Sequence, residues 1–597
     1  MIEPTDLFAR AVGLLKSGDV QSAREIAERA IANTGESASL RHFLGVACCQ
    51  GGDLDAGIGH LERAAELAPR DLGVLLMLMR ALVDAGRPRD ALSRAFEGDG
   101  VPRPALLELW RTRAEAAHRA GDAQLEADAL ERVILLDQAD GRARELLVSL
   151  LLSLDRYEAA LEQLLAMSPS RSRERVRSSA LAGLRRLDES VAVEQALLAG
   201  NPQDREAWLS LVLLADRKGD AALLSATIDL GERGHYAQAE IDFARALLAK
   251  RDGRADEALA LARASDVPRD PARRFALIAS LADRLGRADE AFDAAIAKAA
   301  ATPERDAWRR RGAAHRADLE RTATRMTGAW AAGWSAAPPL DRPAPAFLVG
   351  FPRSGTTLLD TFLMGHPDIV VIEEQPMLDA AGRVLGDQAD LDRVDAATIA
   401  RARAAYFVEL DRHLPKGEAG QRLVIDKLPL AMTGAAVIHR LFPDARIIFA
   451  RRHPADSVLS NFLQSFRMND AMANFLDLHD GAQFYDVAMR LWTLARETLN
   501  LDTRDLVYEE LVVDPAAALQ PLVEWLGLPW DEALLDHQRT AAARDVIVTP
   551  SYDQVAQPIH RRAAGRWRRY MEQLEPVLPL LEPWALRLGY GRMTVAN

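Results

Sequence analysis

Apolar and polar positions follow two different rhythms along the chain. Between about residue 5 and residue 300, leucines and alanines recur at helical spacing, and short polar turns interrupt them. The interruptions are themselves periodic. Gly18-Asp19, Gly52-Asp53, Gly86-Arg87 and Gly121-Asp122 lie 34, 34 and 35 residues apart. Asp155 stands in the same slot 34 residues on; the signal blurs near Arg186 to Asp188 and returns at Gly219-Asp220, Gly253-Arg254 and Gly286-Arg287. Glycine tolerates positive φ, which suits a tight turn between two helices. Five residues after the turn, Ala23, Ala91, Ala160, Ala258 and Ala291 recur, and a small side chain there lets neighbouring helices approach closely. The pattern predicts eight or nine helix-turn-helix units, each burying its apolar face only against its neighbours, in a curved solenoid.

The second rhythm begins after Ala336-Ala-Pro-Pro-Leu-Asp-Arg-Pro-Ala-Pro345, whose four prolines predict an extended, non-helical linker. Beyond it come short β-prone runs, Ala346-Phe-Leu-Val349, Ile369-Val-Val-Ile372, Leu423-Val-Ile425 and Arg446-Ile-Ile-Phe449, with helical stretches between them. Strands alternating with helices predict an α/β domain with a parallel sheet. The expected organisation is an all-α solenoid over 1–335, a linker over 336–345 and an α/β domain over 346–597. In length, turn and alanine position the repeat resembles the tetratricopeptide repeat. Such an array offers a groove for a peptide or protein partner, or serves as a spacer or dimerisation arm.

Composition narrows the function classes. A net charge of −13 argues against broad nucleic-acid binding. No run of about 18 apolar residues is present, so no spanning helix is expected. The first residues lack a basic segment followed by an apolar one, so no signal peptide is expected. The two cysteines, Cys48 and Cys49, fall on a helical stretch of the second repeat, where core packing is the expected role. Two cysteines make no disulfide framework, and a reducing cytoplasm is the expected compartment. The histidines show no HExxH or similar spacing, so no metal is expected.

The chemistry-bearing motifs all lie in the second half. Phe347-Leu-Val-Gly-Phe-Pro-Arg-Ser-Gly-Thr-Thr-Leu reads as strand, loop and helix, with Arg353, Ser354, Gly355, Thr356 and Thr357 at the helix start. Unpaired N–H groups and the helix dipole make an anion site there; Arg353 adds a forked cation and the threonines add hydroxyls. The spacing resembles a Walker A loop, yet Thr356 stands where the lysine belongs, which disfavours an ATPase or kinase. Glu373-Glu374 and Asp426-Lys427 each follow a strand, near the end where parallel sheets bind ligands. Solvated acids and an Asp426–Lys427 salt bridge are the plainer readings of those pairs.

PRSGTTLL, with the later motifs in order, resembles the 5′-phosphosulfate loop of sulfotransferases that use 3′-phosphoadenosine-5′-phosphosulfate (PAPS). The arginine form followed by GHP and Glu-Glu resembles the tyrosylprotein sulfotransferases, and bacterial sulfotransferases fused to tetratricopeptide repeats match the architecture too. The resemblance spans roughly residues 344 to 570. It implies a P-loop-like donor site and transfer of a sulfuryl group to an acceptor hydroxyl, releasing adenosine 3′,5′-bisphosphate (PAP). By that resemblance Glu374 is the base and Glu373 orients its neighbours, although which of the two acts is open. Lys427, Arg353 and Ser551 stabilise the transferring group. Arg353, Ser354, Gly355, Thr356 and Thr357 hold the 5′ side, Arg452 and Ser460 the 3′-phosphate, and Tyr508 the adenine. Arg566, in the GRWR segment, lies near the nucleotide. A core role for Tyr508, a basic helix cap at Arg452 and an RNA patch around Arg566 are the competing readings.

The sequence departs from the tyrosylprotein enzymes in three ways. Gln375-Pro376 replace the Thr-Arg pair that follows the acids, Gln464 replaces an arginine past Ser460, and the disulfide cysteines are absent. A peptide, a sugar or a small alcohol therefore all remain open as acceptor. The alternative to an enzyme is a repeat-based binding or scaffold protein whose α/β domain is a degenerate nucleotide sensor.

Overall fold

The computed structural model describes residues 4–94, 101–267, 270–414, 422–543 and 563–593. It divides into two compact units, Met1–Gly219 and Asp220–Asn597.

The first unit is a helical array. Pro4–Lys16 and Val20–Thr34, Ala38–Gln50 and Leu54–Leu67, and Arg103–Ala120 and Ala123–Leu136 are among its pairs. Turn residues Gly18, Gly52, Gly86 and Gly121 have positive φ, as the periodicity predicts. Asp155 (φ 57°) and Arg185 (φ 66°) adopt the same conformation without being glycine, so the turn persists through the blurred stretch. The aspartate after the glycine also has a structural reason. Asp19, Asp53 and Asp122 each cap the second helix, accepting from the backbone N–H of Ser22, Ala56 and Leu125. Ala23, Ala91 and Ala160 are fully buried. Where the alanine is missing, the slot is still buried: Gly57 and Leu224 fill it in two units, and in two others a paired polar group does, Ser190 at 2.8 Å from Ser178 Oγ and Glu126 at 3.2 Å from His118 Nδ1.

The second unit opens with six more helices, Ala221–Arg233, Gln238–Arg251, Ala255–Ala264, Pro271–Arg284, Ala288–Ala300 and Arg305–Arg325. Ala258 and Ala291 occupy the same buried slot. These helices belong to one compact body with the sheet. The long helix Arg305–Arg325 runs along Leu478–Leu499, where Arg309 and Arg316 bond to Asp480 and Glu320 receives Arg490. The proline-rich segment is non-helical and packed: Arg403 donates to the Pro338 and Pro339 carbonyls, and Arg342 lies 4.3 Å over the Phe407 ring.

Among the described residues, five parallel strands follow: β1 (Ala346–Val349), β2 (Ile369–Glu373), β3 (Leu423–Lys427), β4 (Arg446–Arg451) and β5 (Asp502–Val507), in the order β2-β3-β1-β4-β5. Four match the apolar runs in the sequence. β2 and β3 extend further than those runs, so Glu373, Asp426 and Lys427 are strand residues instead of following the strand. β5, Asp-Thr-Arg-Asp-Leu-Val, carries no apolar run, because Asp502 and Arg504 face solvent and only Leu506 is buried. Leu348, Ile425, Ile448 and Leu506 line one face of the sheet and pack on Leu359, Phe362 and Leu363 of the helix after β1. The chain leaves β1 for β2 on one side, while β4 and β5 lie on the other, so the sheet reverses direction beside β1. Clefts in open parallel sheets form at that point, outside the strands' C-terminal ends.

Candidate functional site

The loop Pro352–Gly355 joins β1 to the helix Thr356–Leu363 at that reversal. Gly355 has φ 92°, and a Cβ there would lie 2.4 Å from the Tyr508 ring, so only glycine fits. Arg353 also has positive φ, 67°. Thr356 and Thr357 are buried in the helix's first turn. Ser354 Oγ lies 3.5 Å from Ser457 Oγ. Asn461 buttresses the loop from below, donating Nδ2 to the carbonyls of Pro352 and Ser457 at 2.8 Å each.

Helix Pro454–Leu463 brings the second set of groups to the same loop. Arg353 donates Nε to Ser460 Oγ at 3.2 Å, and Arg452 donates Nη1 to the Arg353 carbonyl at 2.9 Å. Arg452 also sits 4.7 Å over the Tyr508 ring and donates to the Ala563 carbonyl. Arg353, the Arg452–Ser460 stretch and Tyr508, three stretches far apart in sequence, thus meet around one loop. Burial, then the charges of Arg452 and Arg566, push the Arg353 guanidinium down to about 10, which leaves it charged at neutral pH. Arg566 approaches from the 3₁₀ turn Arg566–Tyr570, whose backbone is fixed by Asp456: Gly565 N–H and Trp567 N–H donate to its two oxygens at 2.7 and 2.8 Å. His453 stacks on Trp567 at 4.6 Å; burial and the neighbouring Arg568 and Arg452 hold its imidazole down near 3, so it is neutral.

Across the sheet edge lies an acid–lysine cluster. Lys427 Nζ is fully buried, 2.7 Å from Glu374 Oε1, 2.9 Å from Glu373 Oε1 and 3.3 Å from Asp360 Oδ2. Burial alone would lower its pKa, but Asp360, Glu374 and Glu373 raise it above the ordinary lysine value, so it stays charged. Glu374 takes φ 53° just past β2 and donates its N–H to the Lys427 carbonyl at 2.8 Å. An acidic residue held in the left-handed region beside a buried cation is a strained, over-determined position of the kind found at functional sites. Its side chain is 31% exposed, against 9% for Glu373, so Glu374 is the acid open to a ligand. Asp426 does not pair with Lys427. It points to the opposite face, where Tyr406 OH donates to Oδ2 at 2.7 Å and burial pushes its carboxyl up to about 7.

Residues 345–532 match the model of the sulfotransferase family. The C-terminal half carries a sulfotransferase domain. A protein-tyrosine sulfotransferase of Drosophila melanogaster is 27% identical over 278 residues, which is 41% of this chain and 53% of that protein. Protein-tyrosine sulfotransferase 1 of Danio rerio is 28% identical over 268 residues, 41% of this chain and 71% of that protein. An uncharacterized protein of Aquifex aeolicus is 26% identical over 250 residues, 40% of this chain and 32% of that protein. The chain thus spans a third to about half the length of the first two curated relatives it matches. Among solved structures, the sulfotransferase domain of the Synechococcus PCC 7002 olefin synthase covers 39% of this chain and 90% of its own, at 26% identity and TM-score 0.28. A tetratricopeptide repeat protein of Parabacteroides merdae covers 47% of this chain and 98% of its own, at 14% identity and TM-score 0.21.

Within the sulfotransferase domain, Ser551 lies outside the described residues. Sequence reasoning passed over four residues that shape the site. Asp360 stands behind Lys427, Asn461 supports the loop, Asp456 fixes the backbone beside Arg566, and Glu509 accepts the His453 N–H at 3.1 Å. The available signal was a lone polar residue on the buried face of an apolar helix, as in Thr-Thr-Leu-Leu-Asp-Thr-Phe-Leu. Gln375 folds back, donating Nε2 to the Glu373 carbonyl at 3.0 Å. Among the described residues, no group of three or more histidines, cysteines or carboxylates is arranged to hold a metal ion, and no helix is long and apolar enough to cross a membrane.

Proposed function

We propose that the chain is a PAPS-dependent sulfotransferase acting on an acceptor hydroxyl, with PAP as the second product. The observation that supports this most is the contact of Arg353 with both Ser460 and Arg452 around one phosphate-type loop. The residues present also fit a polyanion. Arg452 Nε and Arg566 Nε and Nη2 are buried N–H groups with no hydrogen-bond partner among the described residues, and an oxyanion would satisfy them.

Arg353, Ser354, Gly355, Thr356 and Thr357 would bind the 5′-phosphosulfate side; Arg452 and Ser460 would take the 3′-phosphate. Tyr508 would border the adenosine, with Arg566 close by. PAPS, when bound, supplies the sulfuryl group. Glu374 would accept the proton of the acceptor hydroxyl as its oxygen attacks sulfur. Lys427 would stabilise negative charge as it builds on the departing oxygen, with Arg353 and Ser551 assisting. Glu373 and Asp360 would keep Lys427 charged and in place.

For the acceptor we favour a hydroxyl on a peptide or protein recruited by the repeats, in keeping with the names of the curated relatives. Gln375, turned onto the Glu373 carbonyl, gives no cation for an acidic peptide at that point. Cys48 and Cys49 are free thiols, which suits the reducing cytoplasm. Calorimetry with PAP, followed by transfer of label from PAPS to peptides, tests the reading. Tight PAP binding with label on a hydroxyl supports it; absence of PAP binding overturns it.

A further inference from the structure

Asp283 lies near the end of the repeat helix Pro271–Arg284, nearly three hundred positions before the residues it holds. Its Oδ2 is 3.1 Å from Arg566 Nη1. Its Oδ1 accepts from Tyr570 OH at 2.7 Å and from Arg569 Nη2 at 3.3 Å, and its carbonyl accepts from Arg569 Nη1 at 3.1 Å. The Arg566 side chain is only 13% exposed, so this ion pair is shielded from water.

The consequence lies in which nitrogen is engaged. With Nη1 on Asp283, the two remaining nitrogens, Nε and Nη2, are buried and without hydrogen-bond partners among the described residues. Those two N–H groups form one edge of the guanidinium, the edge that grips an oxyanion by two parallel bonds. The same edge belongs to a cation close enough to depress the Arg353 guanidinium. We propose that Asp283, a residue of the repeat array, is a positioning residue for the donor site, turning the Nε–Nη2 edge of Arg566 toward the PAPS anion.

A purely structural tie would need no such orientation, since Arg569 and Tyr570 already join the segment to the helix. The proposal rests on the reading of this site as a PAPS pocket.

The test is a double-mutant cycle in the full chain, read by PAP calorimetry and by PAPS kinetics. Asp283→Ala is expected to weaken PAP binding and raise KM for PAPS about tenfold, the scale of one charge-assisted bond, with kcat within about twofold. Arg566→Met should weaken PAP binding at least as much, and Asp283→Ala should then add nothing in the Arg566→Met background. Wild-type PAP affinity in Asp283→Ala, or penalties that multiply in the double variant, overturns the proposal. Asp283→Asn, which keeps the shape without the charge, serves the same cycle if Asp283→Ala does not fold. A wild-type chain that binds no PAP overturns the donor-site reading, and this proposal with it.

Discussion

Lys427 Nζ sits 2.7 Å from Glu374 Oε1, with Glu373 and Asp360 completing a shell of three carboxylates around one buried ammonium. The lysine is wholly buried, whereas Glu374 is partly open. Glu374→Gln should therefore cut turnover by about 100-fold or more, the scale of a lost general base, while PAP affinity stays within about twofold. Unchanged turnover would remove the role assigned to Glu374.

Lys427→Met leaves three carboxylates facing one another without their cation. Breaking a buried pair from one side costs about 3–5 kcal/mol, so a clear drop in the chemical-denaturation midpoint should accompany the loss of activity. A midpoint equal to wild type would mean that water reaches the cluster.

Ser460→Ala removes the hydroxyl that receives Arg353 Nε. A hydrogen bond to a charged group is worth about 1.5–3 kcal/mol, so PAP should bind about tenfold or more weakly. Titration calorimetry reads this directly, and an unaltered affinity would take Ser460 out of the donor site.

Lys298 is buried where the helix Ala288–Ala300 meets the helix Pro454–Leu463, and its Nζ donates to the carbonyls of Phe462 and Gln464 at 2.7 and 2.5 Å. Burial pulls its pKa from an ordinary 10.5 down to about 7. The unfolded chain then binds more protons than the folded one between those values, so this group makes stability rise with pH across that window. Relative to Lys298→Met, the wild type should gain roughly 2 kcal/mol between pH 7 and pH 9. Parallel denaturation curves at the two pH values check it; equal gains in both proteins would refute it.

Asp426 works in the opposite sense. Burial raises its folded carboxyl from 3.8 to about 7, with the Tyr406 hydrogen bond opposing and Asp379 reinforcing. The folded chain holds the extra proton, so this group's contribution is full below about pH 4 and is lost as pH climbs toward 7. Asp426→Asn should raise Tm relative to wild type at pH 8 and show no such advantage at pH 4. An advantage independent of pH would point to packing instead.

What the linear order of residues determined here is whatever depends on near neighbours. A turn every 34 residues, an aspartate to cap the next helix and an alanine for close packing are local requirements, so the array was legible even through Asp155. The same holds for β1, its loop and the helix behind it, since strand, anion loop and helix start are consecutive in the chain. Four strands announced themselves because burial on both faces demands unbroken apolar runs.

The folded chain alone decided which distant groups share a cluster. Asp426 and Lys427 are adjacent in β3, yet alternation along a strand sends them to opposite faces, one to Tyr406 and the other to Glu374. β5 escaped notice because Asp502 and Arg504 are exposed and only Leu506 is buried, so no apolar run marks it. Asp283 carried no local mark at all. Its role follows from a repeat helix lying against the sulfotransferase domain, a long-range packing that no spacing in the sequence encodes.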